Sequence, residues 1–243
     1  MNKKVAVVTG SAKGIGKELV KCLSKEGYDV VITYNTSENE ALRLKEYVTE
    51  KYNVNALSIK CDITNEEEIK NMRDVIHSKY DKIEILINNA AYASDNYLVD
   101  KSKEEFMKVL EVNVVGTFLV TKYLYPYLDG GIIVNISSTD AVDTYSRISM
   151  DYCASKAGVN SLTKTFAQEF ENIKVIGFMP AWTNTESVKE MNSEYLENEL
   201  KRIKQNKLYE PKEVAENIIK IINDKRVESG EIFYECRYND KKC

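Results

Sequence analysis

Short runs of valine and isoleucine alternate with longer segments of helical period along this 243-residue chain, and that alternation restricts its architecture more than any other feature. Repeated βα units give a parallel sheet, because only a crossover brings the chain back to start a second strand in the same direction. Strands are expected over residues 4–9, 29–34, 55–61, 83–88, 131–137, 173–179 and 231–234, and helices over 14–26, 38–52, 66–79, 103–128, 150–171 and 212–225. Continuous apolar stretches such as Val30-Val31-Ile32, Ile85-Leu86-Ile87 and Ile132-Ile133-Val134 suit strands covered on both faces. The expected fold is therefore α/β, a doubly wound parallel sheet of about seven strands with helices on both sides. With no repeat and no Pro/Gly-rich linker, residues 1–243 are expected to form a single domain. Only 182–208, long and polar, departs from the alternation, and it is a candidate lid over a substrate site.

Composition narrows the function classes. Net charge is −4 and the charges are interspersed, which argues against nucleic acid as a partner. No apolar run approaches the roughly 18 residues that span a bilayer, and no signal-peptide pattern precedes the first strand, so a cytoplasmic protein without membrane partners is expected. Five cysteines without a C-x-x-C pair suggest neither a disulfide framework nor a metal site. The single histidine, His77, lies in a polar helical stretch and is expected at the surface.

Three of the ten glycines, Gly10, Gly14 and Gly16, fall within seven residues, directly after the first strand. A strand-to-helix turn of this kind offers free N–H groups and a helix dipole to a pyrophosphate. The spacing differs from G-x-G-x-x-G, and the same glycines could serve only to make the loop and to pack Gly16 against the sheet.

The T-G-x-x-x-G-I-G form of Thr9 to Gly16 resembles the nucleotide loop of the short-chain dehydrogenase/reductase family. The resemblance continues through Cys61-Asp62-Ile63, Asn88-Asn89-Ala90, Asn113 in E-V-N-V-V-G-T-F, Ser138 in I-V-N-I-S-S, and Tyr152-Cys153-Ala154-Ser155-Lys156. It implies a Rossmann-like domain that moves hydride between NAD(P)(H) and a carbonyl or alcohol, and it covers the chain to about residue 185. Cofactor contacts are implied for Gly10, Ser11, Lys13, Gly14, Ile15, Gly16, Asn35, Thr36, Asp62, Ile63, Asn89, Tyr152, Lys156, Thr183 and Thr185.

Hydride addition to a ketone leaves charge on oxygen, which calls for a proton donor and hydrogen bonds at that oxygen. A tyrosine phenol serves if a nearby ammonium lowers its pKa. Tyr-x-x-x-Lys occurs four times, at Tyr47/Lys51, Tyr97/Lys101, Tyr152/Lys156 and Tyr238/Lys242, so spacing alone does not choose. The resemblance selects Tyr152 as general acid, Lys156 as its electrostatic partner, Ser138 as a donor to the substrate oxygen and Asn113 as anchor of a water linked to Lys156. Lys13 and the lack of an acid at the end of the second strand, Tyr34-Asn35-Thr36-Ser37, point to NADP(H) over NAD(H). Ala91, Ala181 and Ile176 depart from the family pattern.

The overall pattern also resembles 3-oxoacyl-acyl-carrier-protein reductases. However, Leu128-Asp129-Gly130 and Glu171-Asn172 lack the basic flanks that an acidic carrier would need, so a small-molecule ketone or alcohol is the expected substrate. A non-catalytic NADP(H) sensor is the alternative from another class; the proton-donor set weighs against it. The resemblance further implies a dimer or tetramer, with 103–128 and 150–171 as interface candidates.

Overall fold

The computed structural model describes residues 4–235 and contains one seven-stranded, all-parallel sheet in the order β3-β2-β1-β4-β5-β6-β7. The strands are β1 (Val5–Val8), β2 (Asp29–Tyr34), β3 (Ala56–Lys60), β4 (Ile85–Asn88), β5 (Ile132–Ile136), β6 (Lys174–Met179) and β7 (Ile232–Tyr234). Each was expected, and most are trimmed by a residue or two where the ends run into loops. Tyr238, Lys242, Cys236 and Cys243 lie outside the described residues.

Period-two alternation divides the buried side chains between two faces. Ala6, Val8, Val30, Ile32, Ile85 and Ile87 pack against α1 (Gly14–Lys25), α2 (Glu38–Tyr52) and α9 (Pro211–Asn223). Val5, Val7, Val31, Leu86, Ile133 and Val175 pack against α3 (Glu66–His77), α5 (Thr117–Leu124) and α6 (Met150–Glu169). Full burial of one such side chain contributes about 1.5–3 kcal/mol, and both faces of the sheet are filled this way. The order in which strands are added reverses between β1 and β4, where β3 is followed by α3 and a crossover to the far side. A crevice opens at that point, outside the carboxyl ends of the strands.

The helix expected over 103–128 is broken into α4 (Lys103–Leu110), a π-helical turn Glu111–Gly116, and α5, followed by a 3-10 turn Tyr125–Tyr127. Pro126 accounts for the end, since it lacks an N–H and clashes with the preceding turn. At the π turn Gly116 lies so close to Ile63 that a Cβ would meet its Cδ1 at 2.7 Å, and the widened turn seats Asn113 inward, 1% exposed. The polar stretch 182–208 holds two helices, α7 (Glu186–Lys189) and α8 (Ser193–Arg202). It is closed on itself by Trp182 N–H to Gln205 Oε1 at 3.1 Å and tied to the body by Arg202 to the Thr144 carbonyl at 2.6 Å.

His77 ends α3 at the surface, 4.7 Å from the Tyr127 ring. Burial pushes the Cys22 thiol up to about 11 and Cys61 up to about 12, so neither is a ready nucleophile. Among the described residues no helix is long and apolar enough to cross a membrane.

Candidate active site

A cavity of about 1170 Å³ runs along the carboxyl ends of the strands, from the glycine loop to the start of α6. Gly10 and Gly14 take φ of +59° and +54°, which L side chains rarely adopt. A Cβ on Gly10 would also fall 2.8 Å from Ala90 Cα, so the loop lies directly on the end of β4. Gly16 is packed tightly within the loop; a Cβ there would meet Asn89 Nδ2 at 2.5 Å. Ser11 is likewise turned inward. Its hydroxyl donates to Val8 O at 2.7 Å and accepts from Thr33 N at 3.2 Å. Through these contacts both residues, expected at the cofactor, also tie the turn to β1, β2 and the end of β4. Lys13, Gly14 and Ile15 line the cavity.

The fit to a dinucleotide can be tested on the loop itself. Gly14 N–H already holds an anion, the Glu186 carboxylate, at 3.2 Å, which is where helix geometry favours negative charge. Farther along, Asn35, Thr36, Asp62 and Ile63 border the same cavity. Burial pushes the Asp62 carboxyl up, but hydrogen bonds from the Thr64 amide (2.9 Å), the Thr64 hydroxyl (2.8 Å) and Asn35 (3.2 Å) outweigh it, so the group is held below its ordinary value. Lys13 lies 3.9 Å from Glu40, which Arg43 also approaches at 3.8 Å.

At the other end Ser138, Tyr152 and Lys156 meet on the cavity wall. β5 delivers Ser138, and the first turns of α6 place Tyr152 and Lys156 on one face of the helix. Lys156 is 2% exposed; its Nζ donates to Ile136 O at 2.8 Å and sits 5.4 Å from the centroid of the Tyr152 ring. Burial lowers the Lys156 amine to about 8. The Tyr152 phenol is raised, chiefly by burial and then by the charge of Asp140, while a hydrogen bond with Ser138 opposes the rise. Desolvation at this depth is the largest influence on the phenol. Ser137 is excluded as the substrate donor because its hydroxyl donates to Lys156 O at 2.9 Å.

The Asn113 side chain is engaged within the fold. Its Nδ2 donates to Tyr92 O at 2.8 Å and Ser155 Oγ at 2.9 Å, and its Oδ1 accepts from Tyr92 N at 2.8 Å. Ser155 in turn donates to Tyr152 O at 2.7 Å. Both amide hydrogens are thus occupied, and the side chain clamps the segment after β4 to the turn that carries Tyr152.

The comparisons with known proteins agree with this geometry. The family model for short chain dehydrogenase matches residues 4–196. The chain belongs to the short-chain dehydrogenase family. It is 33% identical over 227 residues, 91% of each chain, to a 3-oxoacyl-[acyl-carrier-protein] reductase of Thermotoga maritima, and 32% identical to the same-named protein of Aquifex aeolicus, covering 89% of this chain and 88% of that one. Among solved structures, a short chain dehydrogenase from Burkholderia cenocepacia in complex with NADP superposes with a TM-score of 0.89 at 25% identity, covering 96% of both chains. This dehydrogenase is accordingly an NAD(P)-binding oxidoreductase that acts on the CH–OH/C=O pair, with a Rossmann-like fold.

Within this family member, Thr183 and Thr185 both line the cavity. Thr183 pairs as an isolated bridge with Tyr209, and Thr185 caps α7 directly beside Gly14. Asn89 donates to Thr9 O at 2.9 Å and Gly10 O at 3.1 Å, holding the loop. Ile176 is 1% exposed in the core, so that departure lies away from the cavity, whereas Ala91 and Ala181 line it.

Sequence reasoning missed several supports. Asn88 donates to Asn135 Oδ1 at 2.8 Å and Thr121 Oγ1 at 3.0 Å, and Asn135 donates to Thr163 Oγ1 at 3.0 Å, a buried chain joining β4, β5, α5 and α6. The signal was an asparagine within each of two apolar strands, since buried amides require partners. Lys101 and Asp151 form a buried ion pair at 2.9 Å, with side chains 3% and 0% exposed. The pair fastens the loop before α4 to the residue preceding Tyr152. Lys101 had appeared only as half of a Tyr-x-x-x-Lys spacing.

Proposed function

We propose that this dehydrogenase interconverts a small-molecule ketone and its secondary alcohol with NADP(H), and that Tyr152 is the general acid for reduction and the base for oxidation. The observation that carries the reading is the convergence of Ser138, Tyr152 and Lys156 on a cavity whose far end is the glycine loop. The bound dinucleotide supplies hydride for reduction and accepts it in oxidation. Gly14, Lys13, Asn35, Thr36, Asp62, Asn89, Thr183 and Thr185, which line the cavity, would hold it. In reduction the Ser138 hydroxyl, whose oxygen accepts from Asp140 N at 3.1 Å, turns its hydrogen from Tyr152 to the substrate oxygen. Tyr152 Oη gives its proton to the same substrate oxygen. Lys156, while protonated, stabilises the phenolate left behind. Asn113 positions the catalytic turn through Ser155.

Lys13, with Arg43 beyond it, supports the NADP(H) preference, as does the absence of an acid directly after β2. The same reading includes association of copies: Met107, Val115, Phe118 and Tyr125 are 41–52% exposed along α4, the π turn, α5 and the 3-10 turn that follows it. The names of the relatives favour a second reading, reduction of a 3-oxoacyl group on a carrier protein. The experiment is NADPH oxidation with a panel of β-ketoesters, diketones, cyclic ketones and an acyl-carrier thioester, in wild type and Tyr152→Phe. Turnover of small ketones that collapses in the variant is expected. Efficient turnover of the thioester instead would favour the second reading, and dinucleotide binding without any turnover would favour a sensor.

A further inference from the structure

Beyond Ser138 the cavity wall carries a group that hydride transfer to a plain ketone does not require. Asp140 sits in the short turn Thr139–Ala141 after β5, is 6% exposed, and borders the cavity beside Ser138 and Tyr152. A carboxylate this far removed from water needs strong partners. Its Oδ1 accepts a hydrogen bond from the Thr144 hydroxyl. The cation that acts on it, Arg202, is engaged elsewhere, by Glu199 Oε2 at 2.7 Å and the Thr144 carbonyl at 2.6 Å. Asp140 therefore has a hydroxyl partner and no ion pair among the described residues. Burial raises its carboxyl; Thr144 and Arg202 oppose the rise, and Glu199 and Asp143 add to it.

This arrangement works against the chemistry next to it. The charge of Asp140 raises the Tyr152 phenol, so a neutral residue in the same turn would serve proton transfer better. A ligand that donates a hydrogen bond to Asp140 removes both defects, completing the solvation of the carboxylate and drawing its charge away from the phenol. The neighbouring wall continues the same character. Ser146 Oγ lies 3.4 Å from Ser149 Oγ, Ser149 donates to Asp95, and all three residues border the cavity.

We propose that Asp140 is a specificity-determining residue that accepts a hydrogen bond from a hydroxyl group of the substrate, so that hydroxylated ketones and polyols are preferred over apolar ketones. The inference rests on the ketone/alcohol reading above and deepens it. In reduction of such a substrate, hydride from the dinucleotide forms the new C–H bond, the carbonyl π pair goes to oxygen, and Tyr152 supplies the proton; Asp140 takes no part in bond changes.

The test compares hydroxyacetone with butanone, in which a methyl replaces the hydroxyl, and with aminoacetone, in wild type, Asp140→Ala and Asp140→Asn. Wild type is expected to favour hydroxyacetone by about 10-fold or more in kcat/KM, because a site that pairs a substrate hydroxyl rejects the analogue without it. Asp140→Ala should bring the ratio towards one. Asp140→Asn, nearly isosteric and still an acceptor, should keep most of it, which separates lost recognition from a misfolded turn. An unchanged ratio in Asp140→Ala, or a wild-type preference for butanone, overturns the proposal, and a preference for aminoacetone lost equally in both variants assigns the carboxylate to an ammonium and overturns the hydroxyl assignment. Binding of 1,2-propanediol against 2-butanol, read by saturation-transfer NMR on the unliganded protein, gives a readout independent of turnover. If no ketone turns over, the reaction reading falls, while an Asp140-dependent preference for the diol still sustains the recognition role and its absence still removes it.

Discussion

Two side chains, Lys156 and Lys13, carry the residue-scale consequences. Burial lowers the Lys156 amine to about 8. Reduction requires the charged form, to stabilise the phenolate left on Tyr152, so protonation helps below that value and its loss hurts above it. The expected kcat/KM for reduction is level through neutral pH and falls as pH rises through about 8; a pH–rate profile of the free enzyme reads this directly, and a decline delayed to the ordinary lysine range near 10.4 would remove Lys156 from the role. Lys13 is half exposed and shares Glu40 with Arg43, which limits its worth to an exposed charge contact. Lys13→Ala should lower kcat/KM for NADPH about 3- to 10-fold more than for NADH, measured side by side. The tyrosine, lysine and serine were all legible in the sequence through their resemblance to family motifs. Asp140 was not, because a lone aspartate after a strand carries no sign of burial until the turn is folded.

At the scale of elements, the glycine loop and the catalytic helix were placed correctly by pattern, and their internal supports were not. Gly16 shows the difference. Its spacing pointed to the cofactor, and its position puts it against Asn89, where a Cβ has 2.5 Å to Nδ2 and 2.8 Å to Ser11 Cα. Gly16→Ala should therefore weaken dinucleotide binding at least about 10-fold and also destabilise the fold by about 1–3 kcal/mol, seen as a lower Tm with and without cofactor. Equal stability and affinity in that variant would show that the loop relaxes freely. The π turn at Glu111–Gly116 escaped a periodic reading, as did its close contact with Ile63, some fifty residues away in sequence. A helix of even period was the natural expectation where nothing local interrupts it.

For the molecule as a whole, sheet order determines where the elements can meet. The reversal between β1 and β4 brings the glycine loop, the segment after β4, the end of β5 and α6 to one edge. Met107, Val115, Phe118 and Tyr125 are left uncovered by that arrangement. Copies of the chain are expected to pair there: light scattering should give a mass above one chain of 27.8 kDa, and Phe118→Glu should shift it towards the monomer while circular dichroism stays unchanged. A monomeric wild type at micromolar concentration would overturn this.

The sequence by itself determined the class of fold and the motif residues, because hydrophobic period and glycine placement are local properties that each segment carries wherever it packs. Only the tertiary structure decided which of the three described Tyr-x-x-x-Lys spacings shares a cavity with the glycine loop, that the Asn113 amide clamps the turn carrying Tyr152, and that Asp140 and the Lys101–Asp151 pair are buried beside Tyr152. Burial, charge pairing and pKa depend on which distant segments exclude water from a group, and that is settled only when the strands have taken their order.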